Sequence, residues 1–199
     1  MGDFTKEYSM RKSGILMHIS SLPSPYGIGT MGKAAYEFVD FLKSAGQAYW
    51  QILPLSPTGY GNSPYQSFST YAGSPYLIDL DTLVAEKLLN REEVEAIHWG
   101  DDEIHVDFGI LYNQRFQLLK KAYDRFEGGA EFEAFLEENN RWLPDYALFS
   151  ALKDKYQGQS WQNWSVSLMM RVPEVLDSAR QELAEEIRFV CFQQYLFFR

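Results

Sequence analysis

The chain has 199 residues, 46% of them hydrophobic and 23% charged, with a formal net charge of -9. That length allows one domain, or a domain carrying an inserted subdomain, and a balance of this kind excludes a disordered chain. The acidic surplus repels phosphate backbones and argues against nucleic acid as a partner, while neutral ligands stay open.

Cys191 is the single cysteine, so no intrachain disulfide can form and a reducing, cytoplasmic setting is expected. The first ten residues, MGDFTKEYSM, lack the apolar core of a signal peptide, and no apolar run reaches the ~20 residues of a membrane span. Residues 1–12 are polar and are expected to be flexible.

Gly14 to Ile19 (GILMHI) is a short, nearly continuous apolar run, the pattern of a strand buried on both faces of a parallel sheet. A loop with Pro and Gly follows, and Thr30 is placed to cap the next helix. Lys33 to Ala45 sets Phe38, Phe41, Leu42 and Ala45 at helical spacing, with Gly46 as the stop. Ala48 to Leu53 (AYWQIL) is a second strand. Strand, helix, strand predicts a βαβ unit with parallel strands.

Residues 54–74 are rich in Pro, Gly, Ser, Asn and Tyr and show no helical period, so they form a long irregular loop. Tyr76 to Leu80 predicts a brief extended piece. Asn90 with Glu93 three residues later is a capping-box pattern. Helices are expected over Asp107–Phe126, Glu131–Asn140 and Pro144–Tyr156, together a helical insertion. Pro173 opens a long helix whose last eleven residues, Phe189 to Arg199, are apolar nearly all round. Such a surface has to be buried, which predicts packing against protein beyond Arg199.

Gly27, Gly29 and Gly32 form a literal GxGxxG, but Ser20 to Tyr26 separates it from the strand. The second strand also ends Gln51-Ile52-Leu53-Pro54 rather than on an acidic residue, so a helix-entry turn is the better reading than a dinucleotide site. His18, His98 and His105 show no metal-ligand spacing, so no metal site is expected. His18 differs from the other two, standing near the end of the first strand, where barrel enzymes place active-site groups. Asp79 and Asp81 are expected to anchor backbone. No carboxylate pair stands out as a glycosidase dyad, and no residue is assigned as catalytic.

In the loop, Tyr60, Tyr65 and Tyr71 alternate with Asn62, Ser63, Gln66 and Ser67, and prolines 54, 57 and 64 stiffen the backbone. Tyrosine faces stack on the C–H faces of sugar rings, and amides and hydroxyls bond to sugar hydroxyls. The residues fit a self-packed loop with inward tyrosines equally well.

The segments GILMHISSLPSPYGIG, AYWQILPLSPTGYGNSPYQSFSTYAGSPYLIDL, WLPDYALFSALK and EIRFVCFQQYLFFR resemble, in order, the 4-α-glucanotransferases of the amylomaltase and disproportionating-enzyme family. Residues 85–140 match only loosely. The resemblance implies an α/β fold, a partial (β/α)8 TIM barrel comprising the first two strands and first helix with a mostly helical inserted subdomain. Residues 13–75 would begin the barrel and carry the substrate loop, 76–172 would be the insertion, and 173–199 would start the second barrel helix. It implies transfer of 1,4-α-glucan segments between maltooligosaccharides by a retaining double displacement without cofactor or metal. It places Tyr65 beneath the donor sugar, Ser63 beside it, and Tyr60 with Tyr112 in a secondary glucan groove, and the amide of Gln66 in the same loop is expected to join them in binding substrate. The catalytic Asp, Glu and Asp would lie on later strands, so this chain alone would be inactive. A non-catalytic α-glucan-binding module is the alternative, and it would unfold cooperatively as a monomer. An open strand edge and an apolar last helix leave self-association open instead.

Overall fold

The computed structural model describes residues 11–59, 61–102 and 104–199. Two short parallel strands, β1 (Gly14–Leu16) and β2 (Tyr49–Gln51), are joined by helix α1 (Lys33–Ser44), as the predicted βαβ unit requires. Gly14 pairs with Tyr49, Ile15 with Trp50 and Leu16 with Gln51. Gly46 sits at φ +69° and its N–H bonds to the Lys43 carbonyl, closing α1 as predicted.

Three local expectations are corrected. The helix cap is Gly32 rather than Thr30, because the Thr30 hydroxyl instead donates to Asp79 Oδ1 at 2.8 Å. Residues Pro75–Leu77 form a 3-10 turn rather than an extended piece. The first strand is three residues long and exposed, with Ile15 41% and Leu16 60% accessible. No described element covers its outer side, so an apolar run of buried-strand type stands open.

The rest of the chain is helical: α2 (Leu80–Ala85), α3 (Arg91–Glu95), α4 (Phe108–Asp124), α5 (Ala130–Glu138), α6 (Leu143–Lys155), α7 (Val166–Met169), α8 (Pro173–Glu182) and α9 (Ala184–Phe198). No described helix is long and apolar enough to cross a membrane. Asp79 caps α2 through the Thr82 N–H at 2.8 Å, and Asp81 accepts from Tyr26 Oη at 2.7 Å and from Arg91. Asp79 therefore anchors backbone as expected, whereas Asp81 holds only side chains, and together they fasten the 20–32 loop to α2. Burial first, and then Asp81, push the Tyr26 phenol up to about 12. The capping box at Asn90 and Glu93 is present. Glu93 also takes both Arg125 guanidinium nitrogens, at 2.6 and 2.9 Å, which joins α3 to the end of α4.

The long terminal helix divides. Leu183, at φ -107° and ψ 26°, separates α8 from α9 while its side chain sinks into a cluster with Leu148, Leu152, Trp164, Leu176 and Ala179. Residues Val190 to Leu196 are all buried. The protein that buries them is this chain itself: α9 packs most extensively on α6 and also touches α4, α5 and α8. Phe192, fully buried among Tyr123, Phe126 and Phe132, contributes about 1.5–3 kcal/mol by burial alone. The prediction of packing beyond Arg199 is thus not needed to explain the apolar helix, which is the centre of the helical subdomain.

Two polar residues, Gln193 and Gln194, interrupt that centre. Gln194, with no exposed surface, accepts from the Gly73 N–H at 2.8 Å and donates to the Gly73 carbonyl at 3.0 Å. Any Cβ at position 73 would collide with the Phe197 ring, so only glycine admits this approach.

Gln194→Leu leaves a buried N–H and a buried carbonyl unpaired, and urea denaturation should show a loss of about 2–4 kcal/mol. The Glu93 carboxyl, held down at about 2 first by Arg125 and then by the Asn90 N–H, gives a second expectation. Its stabilising effect is complete above the ordinary value of 4.5 and is lost as the pH falls toward 2. Denaturation midpoints measured between pH 5 and 2 should therefore fall less steeply for Glu93→Gln than for the parent chain.

Candidate functional site

The residues following β1 are held firmly. The Met17 N–H bonds to the Gln51 carbonyl at 3.0 Å, and Trp50 Nε1 donates to the Met17 carbonyl at 2.7 Å. A 3-10 turn over Ile19–Ser21 then starts, with His18 at its cap and the His18 carbonyl accepting from Ser21 N at 3.0 Å. His18 is thereby fixed two residues past the end of the strand. Gly29 packs so closely on Ile19 and Leu22 that it accepts no side chain, which accounts for the middle glycine of the GxGxxG run as a packing requirement.

On the β2 side, the long loop is ordered by its own bonds. Thr58 and Ser67 form an antiparallel bridge, Gly59 N bonds to Gln66 O at 3.2 Å, and Ser74 N bonds to Leu55 O at 2.8 Å. Two of its aromatics lean on the helical subdomain. Phe68 stacks on Tyr146 with ring centroids 6.3 Å apart, and Tyr71 on Trp142 at 6.0 Å. With Gly73 fixed by Gln194, the loop is clamped at its base and along one flank.

Between the ends of β1 and β2 and this loop lies a cleft of about 210 Å³. His18, Ser20, Leu53, Ser56, Thr58, Asn62, Pro64, Tyr76 and Phe108 contribute to its walls. None of the described lining residues carries a formal charge, apart from any proton on His18. Burial lowers the His18 imidazole from its ordinary value, so it is neutral at pH 7. A larger groove of about 380 Å³ lies between α3 and α4. Its Glu93 is already engaged by Asn90, Arg125 and Lys121.

The sequence-derived residues divide around the cleft. Tyr65 is 72% exposed beside Pro64 of the wall, and its N–H bonds to Ser63 Oγ at 3.4 Å. Gln66 is exposed, with its backbone in the loop bridge, and Ser63 is half-buried; neither lines the cleft. Tyr112, on α4, is 64% exposed. Its ring meets Phe116 at 5.9 Å, Phe116 meets Tyr76 at 5.6 Å, and Tyr76 lines the cleft, so an aromatic series links Tyr112 to it. Tyr60 lies outside the described residues. The inward-tyrosine alternative fails for Tyr65 and for Tyr71, which is 67% exposed.

Trp50, Gln194 and the cleft-lining Thr58 escaped sequence reasoning. Trp50 reads as an ordinary strand aromatic, with nothing local to show that its indole holds Met17. Gln194 did carry a signal, since an amide pair in an otherwise apolar stretch from Phe189 to Phe198 has to find partners. His98 and His105 bond to Asp101 at 2.9 Å and Asp102 at 2.7 Å on the surface, and among the described residues no three His, Cys, Asp or Glu side chains gather as for a metal ion.

A family model described as 4-alpha-glucanotransferase (Glyco_hydro_77) matches residues 17–199. The 4-alpha-glucanotransferase of Clostridium butyricum is 47% identical over 184 residues, covering 92% of this chain and 38% of that protein. The Thermus thermophilus 4-alpha-glucanotransferase is 46% identical, covering 95% and 38%. The chain thus spans under two-fifths of the length of these relatives. Among solved structures, the amylomaltase from Streptococcus agalactiae in complex with acarbose superposes with a TM-score of 0.90 at 41% identity, over 94% of this chain and 39% of that one. The Corynebacterium glutamicum amylomaltase, at 16% identity and a TM-score of 0.64, shares the fold.

Because Tyr65 is so exposed and its side chain makes no bond to the described residues, Tyr65→Ala should leave stability within about 0.5 kcal/mol of the parent in urea denaturation.

Proposed function

From the premise that this chain belongs to the 4-alpha-glucanotransferase family, we propose that it forms the donor-side wall of an enzyme moving 1,4-α-glucan segments between maltooligosaccharides. The observation that carries this is the pre-organised loop: Tyr65 stands outward at 72% exposure on a backbone clamped at Gly73, beside a cleft free of formal charge. A neutral, hydroxyl-rich chain suits such a surface, and a rigid loop loses little entropy when it binds. The acarbose-bound amylomaltase, similar over nearly all of this chain, supports a sugar ligand.

In this proposal Tyr65 stacks beneath the donor sugar, with Ser63 and Gln66 beside it. Tyr112, at 64% exposure on α4, offers a separate contact, together with Tyr60, for a glucan chain further out. The strands and α1 are the start of a (β/α)8 barrel, and residues 76–172 are its insertion. The chemistry is a retaining double displacement through an Asp nucleophile and a Glu acid and base. We assign none of those carboxylates to this chain, which by itself binds glucan without turning it over. The exposed Ile15, Leu16, Tyr49 and Ile52 around the two-stranded sheet support self-association of the chain at high concentration.

Titration with maltoheptaose should give saturable binding, weakened about tenfold by Tyr65→Ala, the upper end of what one aromatic stacking contact supplies. Maltotriose incubated with the purified chain should yield neither glucose nor longer oligomers. Undiminished binding by Tyr65→Ala would refute the donor-wall assignment, and turnover would refute inertness.

A further inference from the structure

Among the described residues, one polar contact ties the loop over 54–74 to the helical subdomain: the Gln194 amide on the backbone of Gly73. The other described hydrogen bonds of the loop are made within it or to the turn over Pro75–Leu77. Phe68 and Tyr71 also rest on the helices, but they stay 42% and 67% exposed there. Apolar contact of that kind is non-directional and does not fix a register.

From Gly73 a continuous series of bonds leads to Tyr65. The Ala72 and Tyr71 N–H groups bond to Ser69 Oγ at 3.1 and 3.3 Å, and the Ser69 N–H bonds to Ser67 Oγ at 3.1 Å. Ser67 bridges to Thr58, and the Gln66 N–H bonds to the Ser63 carbonyl at 3.0 Å, closing the turn that carries Tyr65. These links are local to the loop, so they fix its shape and not its place. The place is set at Gly73. There a single planar amide engages both backbone groups of one residue, at 2.8 and 3.0 Å, which fixes orientation as well as position. Residues 72–75 are all buried, so the clamp lies in packed interior and not at a fraying end.

We infer that Gln194 is a positioning residue for glucan binding: by holding Gly73 it sets where Tyr65 stands before a sugar arrives. This rests on the glucan-binding function proposed above. Gln194 has no exposed surface and touches no ligand itself. A loop already held in place spares the ligand the ordering of the chain, a cost that would otherwise lower the affinity.

The test is calorimetric titration with maltoheptaose of the 199-residue chain and of its Gln194→Met, Tyr65→Ala and double variants. Methionine fills a similar space and removes both bonds. Gln193→Met alters the neighbouring buried glutamine, which makes no bond to the loop among the described residues, and controls for a general loss of packing. Gln194→Met should raise the Kd about tenfold, the scale of one or two side chains immobilised on binding. Gln193→Met should leave it close to the parent's. Because Gln194 acts through Tyr65, the double variant should bind about as weakly as Tyr65→Ala alone.

An unchanged Kd in Gln194→Met would overturn the inference and leave the donor wall standing. So would losses that multiply to about a hundredfold in the double variant, since independent routes add in free energy. Equal weakening by Gln193→Met would overturn it as a loss of packing. No binding by the parent chain would remove both the inference and the donor wall. Should Gln194→Met fail to fold, hydrogen exchange of the parent decides. The Gly73 N–H should exchange as slowly without maltoheptaose as with it. Fast exchange that slows only on saturation would mean that the sugar orders the loop, and would overturn the inference.

Discussion

The amide of Gln194 on the backbone of Gly73 is the contact on which the arrangement turns. It lies 121 residues from its partner along the chain, inside the mostly apolar second half of α9, and is sealed from water. A loop of some twenty residues has many backbone groups to satisfy, and running it against a hydrophobic helix would strand two of them. One side-chain amide supplies both the acceptor and the donor that a single residue's backbone needs, so the loop can approach the helix without leaving an unpaired group. Glycine at 73 completes the fit by leaving room for Phe197.

From that fixed point the rest of the loop follows. Ser74 N reaches back to Leu55 O, closing the base, and the Thr58–Ser67 bridge closes the tip. Phe68 and Tyr71 settle on Tyr146 and Trp142. Tyr71 stays two-thirds exposed on that support, and Tyr65 stands outward with no aromatic partner among the described residues. Its exposure is thus the result of restraints on its neighbours, which is how a protein presents a stacking face without losing it to its own core.

Features set by short-range chemistry were legible in the sequence. The βαβ unit, the Gly46 stop, the Asn90–Glu93 box and α4 to α6 all appear close to where periodicity and caps put them. Features set by long-range packing were not. Thr30 has a good capping side chain, but Asp79, 49 residues away, takes it. Nothing local marks Leu183 as a break, because the cause is a cluster assembled from α6, α7, α8 and Trp164. The apolar stretch of α9 was read correctly as needing burial, but which surface buries it depends on how α4, α5 and α6 gather. At the site, His18 was visible from its place after a strand. Thr58 was hidden, since a threonine among prolines and glycines is unremarkable until its hydroxyl is seen to lack a partner among the described residues.

The same packing changes how the chain divides. By sequence, the loop belongs with the strands and the insertion begins near residue 76. By contact, the loop's far half belongs to the helices: Phe68, Tyr71 and Gly73 all lean on α6 or α9, while Leu53, Ser56 and Thr58 face the strand ends. The loop therefore straddles two bodies of structure, one wall on the cleft and the other on the helical core. A helical insertion need not touch a sugar to matter for binding one. By holding the loop's far half still, it sets the position of the near half, and a loss of packing at α9 would loosen the cleft-facing wall before it disturbed the strands beneath.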